Sequence, residues 1–281
     1  MRNYGIMQGR LTPTKGRGIQ FFPFDNWERE FRLAKDLGLE EIEFIFDFDR
    51  YEENPLWTQS GKETLKRIMQ ETGVVVHSVC FDYFMRRAFL KKEGDNKKKL
   101  RVENVQVLRH VLDAMEELAI NLIEIPLVDD SSLKNEREKE EFKEFILDMV
   151  SQADERIRFG LETDLPPKEF LSFLKDINSD RIGANYDSGN SSGLGYDMYE
   201  EVTTLENRIF NIHIKDRVYK GTTVELGTGN ADFDGLFKGL KEIDYKGAFI
   251  LQAARGEEGK ESENIEKQTR FVKEYVSKYL E

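Results

Sequence analysis

The sequence predicts a single-domain α/β protein folded as a (β/α)8 barrel. Three observations lead there. Short runs rich in β-branched and aromatic residues alternate with amphipathic helical stretches eight times along the 281 residues. The repeat averages roughly 35 residues, a rhythm that suits barrels, whereas doubly wound sheets usually stop at about five to seven strands. No Pro/Ser-rich linker divides the chain, so one domain over 1–281 is expected.

The first strand is Y-G-I-M (4–7), and no G-x-G-x-x-G loop follows it, which argues against a dinucleotide-binding sheet. Trp27, Phe31, Ala34 and Leu37 then recur at helical spacing, with Gly38 as the stop. E-I-E-F-I-F (41–46) and V-V-V-H-S-V-C (74–80) are the second and third strands. Val102, Val105, Leu108, Leu112, Met115 and Leu118 predict one long helix with a single apolar face, before the fourth strand, L-I-E-I-P-L-V (122–128). The charged run 134–144 reads as the solvated face of the next helix, laced by i,i+4 pairs. I-R-F-G-L-E (157–162), R-I-G-A-N-Y-D (181–187) and I-F-N-I-H-I (209–214) are strands five to seven. D-F-D-G (232–235) supplies aspartates to cap a helix, G-A-F-I-L-Q-A (247–253) is the eighth strand, and a last helix runs from about Ser262 to Tyr279.

Composition narrows the function. Lys and Arg number 42 against 54 Asp and Glu, a formal charge of −12 that disfavours a phosphate-backbone partner, so no nucleic acid is expected. Two or three local basic groups would still suffice for a small phosphorylated substrate. Cys80 is alone, which excludes an internal disulfide framework and a thiolate zinc site. No signal-peptide core follows Met1 and no uncharged stretch is long enough to span a bilayer, so a cytoplasmic protein without a membrane partner is expected.

Barrel active sites lie at the carboxyl ends of the strands, and here those ends are polar. The fifth strand ends in Glu162 and Asp164, the sixth in Asp187 and Asn190, the seventh in His213, Lys215 and Asp216, the eighth in Gln252, Arg255 and Glu257. Earlier strands contribute Glu43, His77, Asp82 and Glu124. Neighbouring strands would let Glu162, Asp187, His213 and Gln252 face one another. Two carboxylates, an imidazole and an amide oxygen suit Mn²⁺, Mg²⁺ or Co²⁺, with Zn²⁺ less exclusively fitted. Two converging carboxylates also repel each other unless a cation neutralises them. Taken alone, His213 reads more readily as a buried structural histidine than as a ligand; the four strand ends together favour a ligand. His77, inside its strand, and His110, on a helix, read as structural or packing residues.

Several stretches in order resemble one family, the sugar phosphate isomerases/epimerases with a xylose isomerase-like TIM barrel (the AP endonuclease 2 superfamily). They are M-Q-G-R-L-T-P, Q-F-F-P, D-N-W-E-R-E-F, L-G-L-E-E-I-E-F, V-C-F-D-Y-F-M, L-E-T, Y-D-S-G-N, H-I-K-D-R and L-G-T-G-N-A-D-F. The resemblance implies one divalent metal ion held by Glu162, Asp187, His213 and Gln252. It also implies proton abstraction next to a carbonyl through a metal-stabilised enediolate, on a sugar or sugar phosphate. The sequence departs from that pattern at Gln252, where the epimerases have a glutamate that doubles as base, and at Asn190, where some have a substrate-binding histidine. An amide can offer its oxygen to a metal but cannot take up a proton. Glu162, Lys215 and Glu257 are the catalytic candidates; Glu43, Asp82, Asn190, Arg217 and Arg255 are the candidates for holding substrate. With Gln252 in place, a one-face reaction is easier to support than two-base epimerisation, so dehydration of an inosose-like keto sugar and a sugar-binding barrel without catalysis stand as alternatives. The trinuclear, histidine-rich site of endonuclease IV is not provided by three histidines. Homo-oligomers are common in the family, so the resemblance leaves a homo-oligomer open here.

Overall fold

The computed structural model describes residues 3–281. Eight parallel strands close a barrel: β1 (Tyr4–Met7), β2 (Glu41–Ile45), β3 (Ser78–Cys80), β4 (Leu122–Leu127), β5 (Arg158–Thr163), β6 (Ile182–Asp187), β7 (Ile209–Ile214) and β8 (Phe249–Leu251). Each pairs with its sequence neighbours, and β8 closes the ring on β1 through Tyr4↔Phe249 and Ile6↔Leu251. The predicted fold class, a single-domain (β/α)8 barrel, is the one observed.

The strands obey a period of two. Phe44, Val79, Ile123, Phe159, Tyr186 and Ile212 lie on one face, buried against the helices. Glu43, Ser78, Glu124, Asn185, Asn211 and His213 lie on the other, buried in the barrel. The interior is therefore polar, and the hydrophobic core is the shell between strands and helices.

Helices α1 (Trp27–Asp36), α4 (Gly94–Leu118), α5 (Glu136–Gln152), α9 (Phe233–Glu242) and the last, α10 (Glu261–Tyr279), come where the sequence places them; α2 (Gln59–Thr72), α3 (Tyr83–Arg87) and α6 (Pro167–Ile177) fall in stretches where it named no helix. Gly38 takes φ +67 just beyond α1, and the side chain of Asp232 caps the helix that follows it by accepting from Gly235 N. Three details differ from the sequence expectation. Strand β3 is short: the pairing around His77 reduces to an isolated bridge, Glu41↔Val75. Val102 is 56% exposed, because the buried stripe of α4 runs through Leu100, Asn104, Val107, Leu108 and Val111. Residue 102 lies about half a turn from that stripe. Two helices rather than one, α7 (Ser188–Leu194) and α8 (Met198–Leu205), join β6 to β7. His110 packs its ring 3.9 Å from that of Trp57, as a packing histidine should. No helix among the described residues is long and apolar enough to cross a membrane.

Residues 8–24 form a loop that folds over the barrel mouth. It is pinned by the buried Glu30 of α1, which accepts from Gly9 N (2.8 Å), Leu11 N (3.1 Å) and Thr12 Oγ1 (2.9 Å). Burial leaves this carboxyl with a pKa of about 7 despite those donors.

Candidate active site at the carboxyl ends of the strands

Register alone makes Asp187 and His213 neighbours, since they are direct partners across β6 and β7. The β6–β7 pairing shifts at Ala184/Asn185, an irregularity of the kind that re-aims side chains beside a site. Asp187 also caps α7: its Oδ1 accepts from Gly189 N (2.7 Å) and Asn190 N (3.0 Å). Its Oδ2 is left facing Lys215 Nζ at 2.8 Å. Gly189 permits that approach, because a Cβ there would lie 2.4 Å from Lys215 Cγ.

His213 is wholly buried among acids. Its Nε2 lies 2.6 Å from Glu43 Oε1 and its Nδ1 lies 3.2 Å from Glu162 Oε2. Burial opposes a charge on the ring, but Glu43 and Glu162 outweigh it and hold the pKa well above the usual histidine range. Asp187 is also disfavoured as an anion by burial, yet Lys215 and His213 pull its pKa below the ordinary value. For Glu124 the relief from His213 is too small: burial, then Glu162, push its pKa well up, and its Oε2 has no hydrogen-bond partner.

A cavity of about 260 Å³ opens above this group. Glu162, Gln252, Lys215, Asp82, Asn190 and Arg217 line it. Asn190 Nδ2 donates to Glu162 Oε1 at 2.6 Å, and Arg217 reaches Asn190 Oδ1 at 3.3 Å. Asp187 and His213 sit just below, their ligand atoms and that of Glu162 all within 4.8 Å of one another. The remaining expected residues lie elsewhere. Glu43 is fully shielded beneath His213, where Ser78 Oγ (2.6 Å) and Asn211 Nδ2 (2.7 Å) donate to it, so it orients the histidine rather than facing the cavity. Arg255 turns to the mouth loop, giving Nε to Ile19 O (2.8 Å) and Nη1 to Thr12 O (3.2 Å). Glu257 is exposed and paired with Lys260, outside the cavity lining.

The cavity also contains Glu124, given no role from the sequence, together with Arg10, Gln20, Asp47 and Arg86. Glu124 lies within β4, on the inward polar face, and the sequence already named it. Gln20 and Arg10 belong to the mouth loop, where no periodicity marks direction.

The donor set fits a divalent ion. If the neutral ring gives its Nε2 hydrogen to Glu43, the Nδ1 lone pair points towards the lone pairs of Glu162. Asn185 Nδ2 bridges that juxtaposition, 3.1 Å from Glu162 Oε2 and 3.2 Å from His213 Nδ1, and a second proton on the ring or a cation would also sustain it. Glu162, Asp187 and His213 are the group that lies against the cavity, and Gln252 Oε1 shares the Lys215 ammonium with Asp187 (2.9 and 2.8 Å). A second triad, Glu43, Glu124 and His213, lies on the other ring nitrogen.

Comparison with known proteins agrees with this architecture. The family model of the xylose isomerase-like TIM barrel matches residues 31–275. SgbU of Haemophilus influenzae, whose own assignment as an L-ribulose-5-phosphate 3-epimerase is provisional, is 28% identical over 243 residues, 80% of this chain and 83% of that protein. The L-ribulose-5-phosphate 3-epimerase UlaE of Shigella flexneri is 25% identical over 237 residues, 80% of this chain and 81% of that one. Among solved structures, a D-allulose 3-epimerase from Methylomonas sp. in complex with D-allulose superposes with a TM-score of 0.76 at 18% identity, covering 98% of this chain and 97% of that one.

Proposed function

The chain belongs to the xylose isomerase-like TIM barrel family, and from that premise we propose that it is a divalent-metal-dependent epimerase of a ketose or ketose phosphate. The observation that carries the reading is the convergence of Glu162, Asp187 and His213 within 4.8 Å under a polar cavity at the carboxyl ends of β5, β6 and β7. Relatives that span four fifths of the chain and bear the name L-ribulose-5-phosphate 3-epimerase support a phosphorylated ketopentose. So do Arg86 and Arg217 in the cavity wall, since arginine forks match phosphate oxygens.

Glu162, Asp187, His213 and the amide oxygen of Gln252 would hold the ion, which when bound supplies the positive charge that polarises a substrate carbonyl. Glu162 is the base for the proton next to that carbonyl, and Asn190, on its Oε1, keeps the carboxylate aimed. Glu43 keeps the imidazole of His213 oriented. Gln252 cannot return a proton on the other face. Asp82 is the carboxyl placed to do so, lining the same cavity with a pKa raised to about 6 by burial, against the lowering effect of Gln20. Lys215 carries the remaining positive charge beside the developing enediolate.

Gln252 favours a second reading, a one-face reaction such as aldose–ketose isomerisation or dehydration of a keto sugar. The test begins with metal analysis of protein purified without chelator, wild type beside His213→Ala, and continues with L-ribulose 5-phosphate and unphosphorylated ketoses followed by NMR. About one ion per chain, lost in the variant, with inversion at the carbon beside the carbonyl, is expected. Turnover to an aldose or loss of water would give the second reading instead. A wild type that stays metal-free after loading with Mn²⁺ would remove both and leave a sugar-binding barrel.

A further inference from the structure

The polar side chains over the barrel mouth form a directed chain of hydrogen bonds. Lys215 Nζ donates to Gln252 Oε1 at 2.9 Å. Gln252 Nε2 donates to Gln20 Oε1 at 3.1 Å, and Gln20 Nε2 donates to Asp82 Oδ2 at 2.7 Å. The other oxygen of Asp82 accepts from Cys80 Sγ at 3.4 Å. An ammonium has only hydrogens to give and a carboxylate only lone pairs, so the two ends dictate how both amides lie. Each carbonyl must face towards Lys215 and each NH₂ towards Asp82.

From this we infer that Gln20 is a positioning residue: with Asp82 it sets the polarity of the chain and makes a glutamine, rather than a glutamate, the side chain that fits at position 252. A carboxylate there would turn a lone pair against the Gln20 carbonyl. Gln20 could rotate its amide to answer it, but its own carbonyl would then meet the lone pairs of Asp82. The consequence is that the amide oxygen of Gln252, and not its nitrogen, is held towards Lys215 and the proposed ion. Gln252 is thus one link of a fitted chain rather than a decayed base. Gln20 can be probed without opening the core, because it lies half-exposed on a loop whose own anchors are Glu30 and Arg255.

The inference shares the site with the proposed metal, so its test has one arm with the metal and one without. Gln252→Glu, Asp82→Asn and the double variant are made in wild type and in Gln20→Leu. An asparagine at position 82 can present its NH₂ to a rotated Gln20, whose NH₂ then serves the introduced carboxylate; the chain runs in reverse. Under chelator, Asp82→Asn should raise the melting temperature of the Gln252→Glu protein by several degrees relative to its effect on wild type. That difference should fall to less than half once Gln20 is leucine. In the metal arm, Gln20→Leu alone should weaken Mn²⁺ binding several-fold by calorimetry, because the Gln252 amide then keeps only Lys215 to orient it. A coupling between positions 82 and 252 that survives Gln20→Leu undiminished would show only charge acting through space and would overturn the inference. So would the absence of any coupling. A wild type that binds no Mn²⁺ contradicts the metal reading, and the chelated arm still decides the chain of amides.

Discussion

Glu41 is a buried carboxyl whose Oε1 has no hydrogen-bond partner, at the amino end of the barrel. Burial, then Glu43 and Glu40, raise its pKa from 4.5 to about 7. Between those two values the folded protein holds a proton that the unfolded chain has released, so stability falls as pH rises from about 4.5 to about 7 and is level above. Glu41→Gln removes the titration. Its melting temperature should match wild type near pH 4.5 and exceed it at pH 8, by an amount equivalent to about 3 kcal/mol. An equal shift at both pH values would show that packing, not charge, is responsible. Lys215 supports a second prediction at this scale. Its ammonium stands on Asp187 Oδ2 and Gln252 Oε1, two oxygens the proposed ion would need. Lys215→Met should therefore tighten Mn²⁺ binding roughly tenfold while lowering turnover. A weaker Mn²⁺ affinity in calorimetry would mean that the lysine orients the ligands rather than competing for them. Which residues converge was largely readable at this scale, because strand ends are marked by sequence and neighbouring strands must be neighbours in a barrel. Arg255 and Glu257 were not, since both lie beyond the end of β8, where the backbone leaves the sheet and alternation no longer says which way a side chain points.

Among the connecting elements, the stretch after β7 shows how one residue organises a loop. Asp216 is fully buried and accepts from Gly227 N (2.9 Å), Gly229 N (2.8 Å) and Ala231 N (2.9 Å). It also opens a small antiparallel hairpin, Asp216–Arg217 with Thr223–Val224, that sets Arg217 at the cavity. Asp216→Ala leaves three backbone donors without their acceptor, a loss of about 3 kcal/mol. Amide exchange over residues 225–231 should accelerate at least tenfold and the melting temperature should drop; protection unchanged in that loop would contradict the assignment. The aspartate was visible in H-I-K-D-R as a strand-end charge. Its task was not, because its partners lie 11 to 15 residues downstream in a segment with no periodic pattern. Helices marked by an apolar stripe or a cap were legible, with only the start of the stripe in α4 misplaced, whereas α2 and α6 were not named from the sequence.

In the whole molecule apolar side chains point outwards to the helices, as in any (β/α)8 barrel, while the barrel interior is acidic and polar rather than aliphatic. This is why eight short apolar runs betrayed the fold while each also carried polar residues that looked out of place. Those residues line the proposed site. An interior with Glu43, Glu124, Glu162 and Asp187 gathered around one histidine suits a cation, and a bound cation would stabilise the negative charge that develops when a proton is taken from beside a carbonyl. The most direct test is solvent exchange. The Mn²⁺-loaded protein is incubated with L-ribulose 5-phosphate in D₂O and the substrate is followed by NMR. Deuterium should enter at the carbon beside the carbonyl, with exchange abolished by chelator and by Glu162→Gln. Metal-loaded protein that binds the sugar phosphate yet leaves every carbon-bound hydrogen in place would contradict the account.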